Sequence, residues 1–137
     1  MKKTNPVFSL KNFRSFGADG ADFEFAPITV LTGCNSAGKS SLVKALMLLS
    51  KQGNKTGYVP REDLEISSKE LKLGRYESVM NRDSESNTLF FSYIVWSDYL
   101  QENLIVKRVF IAKKNDLVNN GELREFSVEK EDGTFIY

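Results

Sequence analysis

The residues that could do chemistry lie together near the amino terminus, in the stretch Gly33-Cys34-Asn35-Ser36-Ala37-Gly38-Lys39-Ser40-Ser41. This stretch fits the phosphate-binding pattern G-x-x-x-x-G-K-[ST] at every required position. Gly33 and Gly38 allow the backbone to curl, so that successive N–H groups can point at phosphate oxygens. We therefore predict that all nine residues, 33–41, form a nucleotide-binding loop, which we call the phosphate loop.

Two side chains of the phosphate loop would carry the charge-dependent chemistry. Lys39 is expected to reach the β- and γ-phosphates, where its positive charge offsets charge developing in phosphoryl transfer, and it is the candidate catalytic residue. Ser40 is the expected hydroxyl ligand of Mg²⁺, which bridges the same phosphates. ATP and Mg²⁺ are therefore the predicted cofactors. A glycine-rich turn before an ordinary helix is the alternative, but such a turn needs no lysine followed by a hydroxyl residue.

The elements on either side of the loop are those that such a site requires. Ile28–Thr32 is a short β-branched apolar run, which predicts a buried parallel strand. Apolar residues from Leu42 to Leu49 recur at helical spacing, which predicts a helix from near Lys39 to near Ser50. The sequence thus predicts an α/β fold with a strand–P-loop–helix core.

The segments before and inside the loop also carry a family resemblance. They are Leu10-Lys11-Asn12-Phe13-Arg14-Ser15-Phe16, Phe23-Glu24-Phe25 and Pro27-Ile28-Thr29-Val30-Leu31-Thr32-Gly33. With Asn35 and the pair Ser40-Ser41, they resemble the start of ABC-type ATPases of the SMC/RecF/OLD-like group, as does the later stretch Leu71-Lys72-Leu73-Gly74-Arg75-Tyr76. The resemblance implies a P-loop NTPase core with an antiparallel β subdomain. It also implies ATP hydrolysis by the full-length protein and a place near the nucleotide for Arg14.

The sequence departs from that family at three points. The nearest candidate for the second acidic motif, Ile94-Val95-Trp96-Ser97-Asp98, is interrupted by Ser97, and we interpret it as the end of a strand. No Leu-Ser-x-Gly-Gly-like signature is present, and the chain has no histidine. The stretch Thr134–Tyr137 begins an apolar strand. We therefore expect an incomplete fold, the amino-terminal part of a longer ATPase, with little turnover of its own.

Composition and charge set further limits. The chain has 137 residues, a net charge of +1, a single cysteine and no apolar run long enough to cross a bilayer. We expect a cytoplasmic protein with no membrane partner. The expected partners are a nucleotide and either the missing carboxyl-terminal part of the ATPase or a second ATPase head. Nucleic acid is a candidate partner of the whole protein. GTP is disfavoured because Asn54-Lys55-Thr56-Gly57 departs from the guanine-binding motif Asn-Lys-x-Asp.

The predicted organisation has three parts. Residues 1–50 hold the P-loop core, preceded by a strand at Val7–Phe13 and its partner at Phe23–Phe25. Residues 51–87 are an irregular connection with one short element around Leu64–Leu73. Residues 88–137 form an antiparallel β layer. Its expected strands are Thr88–Trp96, Leu104–Ala112 and Glu122–Lys130, with turns at Asn119-Asn120-Gly121 and Glu131-Asp132-Gly133.

Two functional alternatives remain open from the residues alone. One is a non-enzymatic interaction domain whose loop holds a nucleotide or another anion. The other, a small P-loop kinase, is disfavoured because few arginines, Arg61, Arg75 and Arg82, could close over the phosphates. A basic stretch, Lys107, Arg108, Lys113 and Lys114, is interpreted as a solvated face, with DNA contact as the minority interpretation.

Overall fold

The fold is a six-stranded antiparallel sheet with a helix packed on one face. This computed structural model describes residues 5–51, 63–115 and 119–137. The helices are α1 (Lys39–Ser50) and the single-turn α2 (Tyr76–Val79). The strands are β1 (Val7–Lys11), β2 (Ala21–Glu24), β3 (Asp63–Leu64), β4 (Leu89–Ser97), β5 (Glu102–Ala112) and β6 (Gly121–Lys130). Their order across the sheet is β2-β1-β4-β5-β6-β3, so β1 lies between its sequence neighbour and a strand from the second half of the chain.

The strands agree closely with the sequence-based prediction. The expected first hairpin is confirmed, because β1 pairs with β2 in antiparallel register. The expected β layer is confirmed as β4, β5 and β6, which pair along most of their length. The turn at 131–133 is also confirmed, because the Gly133 N–H donates to the Lys130 carbonyl at 3.0 Å. After the turn, the Ile136 N–H donates to the Val128 carbonyl of β6 at 2.8 Å.

The core lies between the sheet and α1. Leu42, Ala45 and Leu48 of the helix are almost completely buried, and they repeat at the three-residue spacing that keeps them on one helix face. Phe91 is the centre of an aromatic cluster on the sheet, with ring centroids 6.2 Å from Phe8, 5.9 Å from Phe13 and 6.1 Å from Phe110. α1 is therefore held by apolar packing, at the position the sequence predicted.

The segment before β4 contributes more to the core than its sequence suggested. We predicted an irregular connection, yet its apolar side chains are buried; they are Leu64, Ile66, Leu71, Leu73, Tyr76 and Val79. The expected element around Leu64–Leu73 is β3, which pairs with β6, and α2 was not predicted. Residues 52–62 lie outside the described part, as do 116–118, next to the predicted Asn119–Gly121 turn. Gly121 belongs to β6 and not to that turn.

The predicted parallel strand Ile28–Thr32 is wrong for this structure. No strand is present there, and the side chains of Ile28 and Val30 are 86% and 76% exposed. A strand needs a hydrogen-bonded neighbour, and among the described residues no strand lies beside this segment. The fold-class prediction is therefore correct for the antiparallel layer and the helix, while the strand–P-loop–helix core is not seen.

The basic stretch does not form a continuous charged surface. Lys107 pairs with Glu129 at 2.7 Å, and Lys113 pairs with Asp63 at 2.8 Å. Arg108 is buried on the other face of the sheet, with its guanidinium carbon 5.7 Å from the Tyr93 ring centroid and 5.6 Å from that of Phe126. Burial raises the pKa of the Tyr93 phenol, and the Arg108 charge opposes that rise. The solvated-face interpretation is therefore correct for Lys107, Lys113 and the exposed Lys114, and wrong for Arg108. Within the described ranges, no helix is long and apolar enough to cross a membrane.

Candidate functional site

The phosphate loop forms an irregular turn that leads directly into α1. Gly33, Ser36 and Gly38 adopt positive φ angles of 142°, 70° and 92°, which curl the backbone. Gly38 is the N-cap of the helix, and its position carries no side-chain cap. No acidic residue lies in the first helical turn. The first N–H groups of a helix have no carbonyl partner within it, so this end of α1 is open to an anion.

Gly38 also meets a tight steric requirement. A Cβ atom at this position would lie 2.9 Å from Cζ of Phe16 and 3.0 Å from Oγ of Ser15. Phe16 is itself held edge-to-face against Phe23 of β2, with 5.6 Å between ring centroids. The loop therefore rests on the turn that follows β1, and only a glycine permits both this contact and the left-handed φ.

Replacing Gly38 with alanine tests this contact. We expect the free energy of unfolding to fall by about 1–2 kcal/mol from the left-handed backbone alone, and further from the clash with Phe16. Gly133→Ala is the matched control, because Gly133 has a φ of 85° but nothing within 4 Å of a built Cβ. Urea unfolding of both variants separates the two costs. An equal fall in the free energy of unfolding for Gly38→Ala and Gly133→Ala would show that the contact with Phe16 does not constrain residue 38.

Lys39 is bound to the loop itself. Its Nζ donates to the carbonyl oxygens of Gly33 at 2.6 Å and Cys34 at 2.5 Å. The side chain thus crosses from the first turn of α1 to the start of the loop. The ammonium group therefore bridges two carbonyls of the loop and helps to hold the curled backbone together.

The phosphate loop forms one wall of a cleft of about 750 Å³. This volume lies within the range of roughly 300–1,000 Å³ that is usual for ligand sites. From the phosphate loop, the cleft is lined by Asn35, Ser36, Gly38, Lys39, Ser40 and Ser41. The other wall consists of Arg14, Ser15, Ser78, Met80, Asn81, Arg82 and Asp83. Three cationic side chains and one carboxylate therefore face a single cavity, which suits an anion with several negative charges.

Arg14 owes its place in the cleft to the end of β1. The strand stops at Lys11 because Asn12 and Arg14 adopt left-handed φ angles of 61° and 51°. Backbone bonds hold this turn: the Asn12 N–H donates to the Gly17 carbonyl at 3.0 Å, and the Arg14 N–H to the Val79 carbonyl at 2.7 Å. The structure thus brings Arg14 to the wall of the cleft opposite the phosphate loop.

The remaining predicted residues lie beside the cleft and not in its lining. Cys34 is exposed with a free thiol. Ala37 lies on the other side of the loop, where it lines a smaller cavity together with Val30 and Leu31. The former acidic-motif candidate, Asp98, accepts a hydrogen bond from Trp96 Nε1 at 3.0 Å, at the end of β4 remote from the cleft. This location agrees with its interpretation as a strand end.

The segment 78–83, which forms part of the second wall, was not predicted from the sequence. Asn81, Arg82 and Asp83 follow the short helix α2 and match no motif. Arg82 was considered only as a residue of a disfavoured kinase. No local signal identifies these residues, because the contact that places them joins positions 67 residues apart.

The architecture and the loop agree with a comparison to known families. The family model for the AAA domain matches residues 8–136, nearly the whole chain. The chain belongs to the AAA domain family. A solved structure described in terms of ATP-driven dimerization and DNA-stimulated activation of SMC ATPases is similar in fold to this AAA domain, with a TM-score of 0.58 and 14% identity. The similarity covers 98% of this chain and 73% of that chain. Comparison with curated protein sequences gives no match.

The predicted resemblance to SMC-like ATPases is confirmed by this family match and at the level of the fold. The family match covers residues 8–136 and therefore includes the antiparallel sheet as well as the phosphate loop. The shared architecture is therefore that of an ATPase-family domain.

Proposed function

We propose that this AAA domain binds ATP with Mg²⁺ in the cleft between the phosphate loop and residues 78–83. The observation that carries the proposal is the uncapped start of α1, which has no acid in its first turn and faces a cavity lined by Arg14, Lys39 and Arg82. A phosphate chain satisfies the open N–H groups and the three cations at once.

Each residue of the loop then has a distinct role. The loop amides and both glycines would cradle the phosphates, while Lys39 would exchange its bonds to the Gly33 and Cys34 carbonyls for bonds to phosphate oxygens. The exposed Ser40 hydroxyl fits the ligand that Mg²⁺ takes from this motif. Mg²⁺ would neutralise the charge on the β- and γ-phosphates. Arg14 would approach the phosphates from the opposite wall.

Hydrolysis is proposed for a longer ATPase that includes this chain. The sequence lacks the acidic motif that orients water, so that group has to come from another segment or a second head. An uncovered apolar surface supports such a partner. It comprises Ile28, Val30 and Leu31 beside the loop, together with Val43 and Met47 on α1, all of them at least 39% exposed. We propose that the rest of the ATPase domain covers this surface, with the 28–31 segment as a strand.

The proposal predicts that Mg-ATP stabilises the 137-residue chain. At about 100 times the dissociation constant, the free energy of unfolding should rise by roughly 2.7 kcal/mol, which corresponds to about 5–10 °C in melting temperature. Mg-ATP should also slow alkylation of the exposed Cys34 thiol, which lies within the loop. Thermal unfolding and the rate of modification by iodoacetamide measure the two effects.

Three further measurements distinguish a site for Mg-ATP from a site for anions in general. Chelation of Mg²⁺ should weaken the stabilisation, and GTP should stabilise the chain less than ATP. Inorganic pyrophosphate tests the alternative of a simple anion-binding domain, which predicts that pyrophosphate and Mg-ATP protect Cys34 equally well. An unchanged melting temperature together with unchanged alkylation in Mg-ATP would refute nucleotide binding by this chain.

A further inference from the structure

Asn81 connects the two elements of the second wall through both its backbone and its side chain. Its side-chain Nδ2 donates to the Arg14 carbonyl at 2.6 Å, and its backbone N–H donates to the Asn12 carbonyl at 2.8 Å. Its Oδ1 accepts from the Asp83 N–H at 3.1 Å. One residue therefore binds the carbonyls of both Asn12 and Arg14 in the turn that carries Arg14.

That turn requires stabilising contacts because its backbone is strained. Asn12 and Arg14 both have left-handed φ angles, and Arg14 has none of the side-chain chemistry that makes this region tolerable for asparagine or aspartate. Strained residues of this kind persist only where the surrounding structure over-determines them. The Asn81 amide supplies one such constraint, and the bond from the Arg14 N–H to the Val79 carbonyl, at 2.7 Å, supplies another.

We propose that Asn81 is a positioning residue that keeps Arg14 directed across the cleft at the phosphate loop. The inference rests on the proposed nucleotide binding but makes a separate claim. Asn81 lines the cleft, yet its amide nitrogen and its amide oxygen each already have a partner within the chain. In this proposal its effect on a ligand passes through Arg14, whose guanidinium is directed at the phosphate loop by the left-handed backbone of the turn.

A double-mutant cycle on Mg-ATP binding tests this claim. Asn81→Ala should lower the affinity by about threefold to tenfold, the value of one hydrogen bond, and Arg14→Ala should lower it by about tenfold or more. The double variant should bind as Arg14→Ala does, because a residue that acts through Arg14 has no effect without it. Ser84→Ala is the matched control: its hydroxyl bonds the Ser86 carbonyl at 3.0 Å in the same segment, outside the cleft, and it should bind as the wild type does. Equal losses from Asn81→Ala in both backgrounds would overturn the proposal.

A second measurement needs no nucleotide and so separates this claim from the proposed function. Hydrogen exchange of the Arg14 amide should be faster in Asn81→Ala than in the wild type, because the Arg14–Val79 bond opens more often when the carbonyl is released. Asn81→Asp keeps the acceptor for the Asp83 amide but removes the donor to the Arg14 carbonyl. This variant replaces Asn81→Ala in the exchange measurement if the alanine variant does not fold. Unchanged Arg14 exchange in the folded variant refutes the positioning role, whether or not wild-type protein binds Mg-ATP.

Discussion

Replacing Lys39 with alanine is expected to lower the affinity for Mg-ATP by about 100-fold or more. Lys39 is the first residue of α1 and lines the cleft, and hydrogen bonds to charged groups contribute about 1.5–3 kcal/mol each. The variant also loses the two bonds to the Gly33 and Cys34 carbonyls, so the loop is no longer tied to α1 in the free protein. Titration of a fluorescent ATP analogue in the presence of Mg²⁺ measures the loss.

Lys44→Ala is the appropriate control for this variant. Lys44 lies on the same helix and carries the same charge, but it is outside the cleft. Its replacement should leave the affinity within about twofold of the wild type, since its charge lies outside the cleft and is screened by solvent. Similar weakening by both variants would show that net charge governs binding and that Lys39 has no specific contact. Unchanged binding in Lys39→Ala would contradict the proposed site.

The second large effect is expected in the core. Tyr76→Ala should lower the free energy of unfolding by about 3–5 kcal/mol, as is found for buried aromatic residues. Its ring is only 2% exposed, and its hydroxyl lies 2.7 Å from the Phe110 carbonyl, to which it donates. The Leu89 N–H donates to the same hydroxyl at 3.2 Å. Burial raises the pKa of this phenol, so the hydroxyl keeps its proton. Urea unfolding measures the change.

Two variants show which part of Tyr76 matters. Tyr76→Phe keeps the ring but removes the hydroxyl that bonds the Leu89 amide and the Phe110 carbonyl. It should lower the free energy of unfolding by about 1–3 kcal/mol. Tyr99→Ala makes the same truncation at a side chain that is 94% exposed, and it should change stability by no more than about 0.5 kcal/mol. A loss in Tyr99→Ala as large as that in Tyr76→Ala would mean that the buried contacts are not the cause.

The elements predicted correctly are those whose signal is local. β4 and β5 contain apolar runs rich in β-branched or aromatic residues, β6 alternates apolar and polar residues in its second half, and α1 has its apolar face at helical spacing. The segment Ile28–Thr32 has the same composition as a strand but has no neighbouring strand here. Composition indicates what a segment can form, whereas a strand also requires a partner that the sequence does not specify. The buried residues around Leu71 and Tyr76 were missed because they lie in short turns without any period.

The same distinction applies to the site. The phosphate loop is contiguous, so its residues and the position of α1 could be predicted from sequence spacing. The opposite wall depends on tertiary contacts. Arg14 could be placed only through a family resemblance, and Asn81 could not be placed at all, because its role follows from a bond to a residue 67 positions earlier. The steric need for Gly38, set by Phe16, is likewise visible only in three dimensions.

The place of β1 in the sheet has a consequence for how the chain folds during synthesis. β1 has two neighbours, and one of them, β4, leaves the ribosome later. At about 5–20 residues per second, roughly 80 further residues take about 4–16 seconds to make. During that interval β1 and the apolar face of α1 have no β4–β6 layer to cover them. The half of the domain that carries the phosphate loop is therefore translated first but covered last, and we expect a nascent chain of this protein to bind chaperones that shield apolar segments.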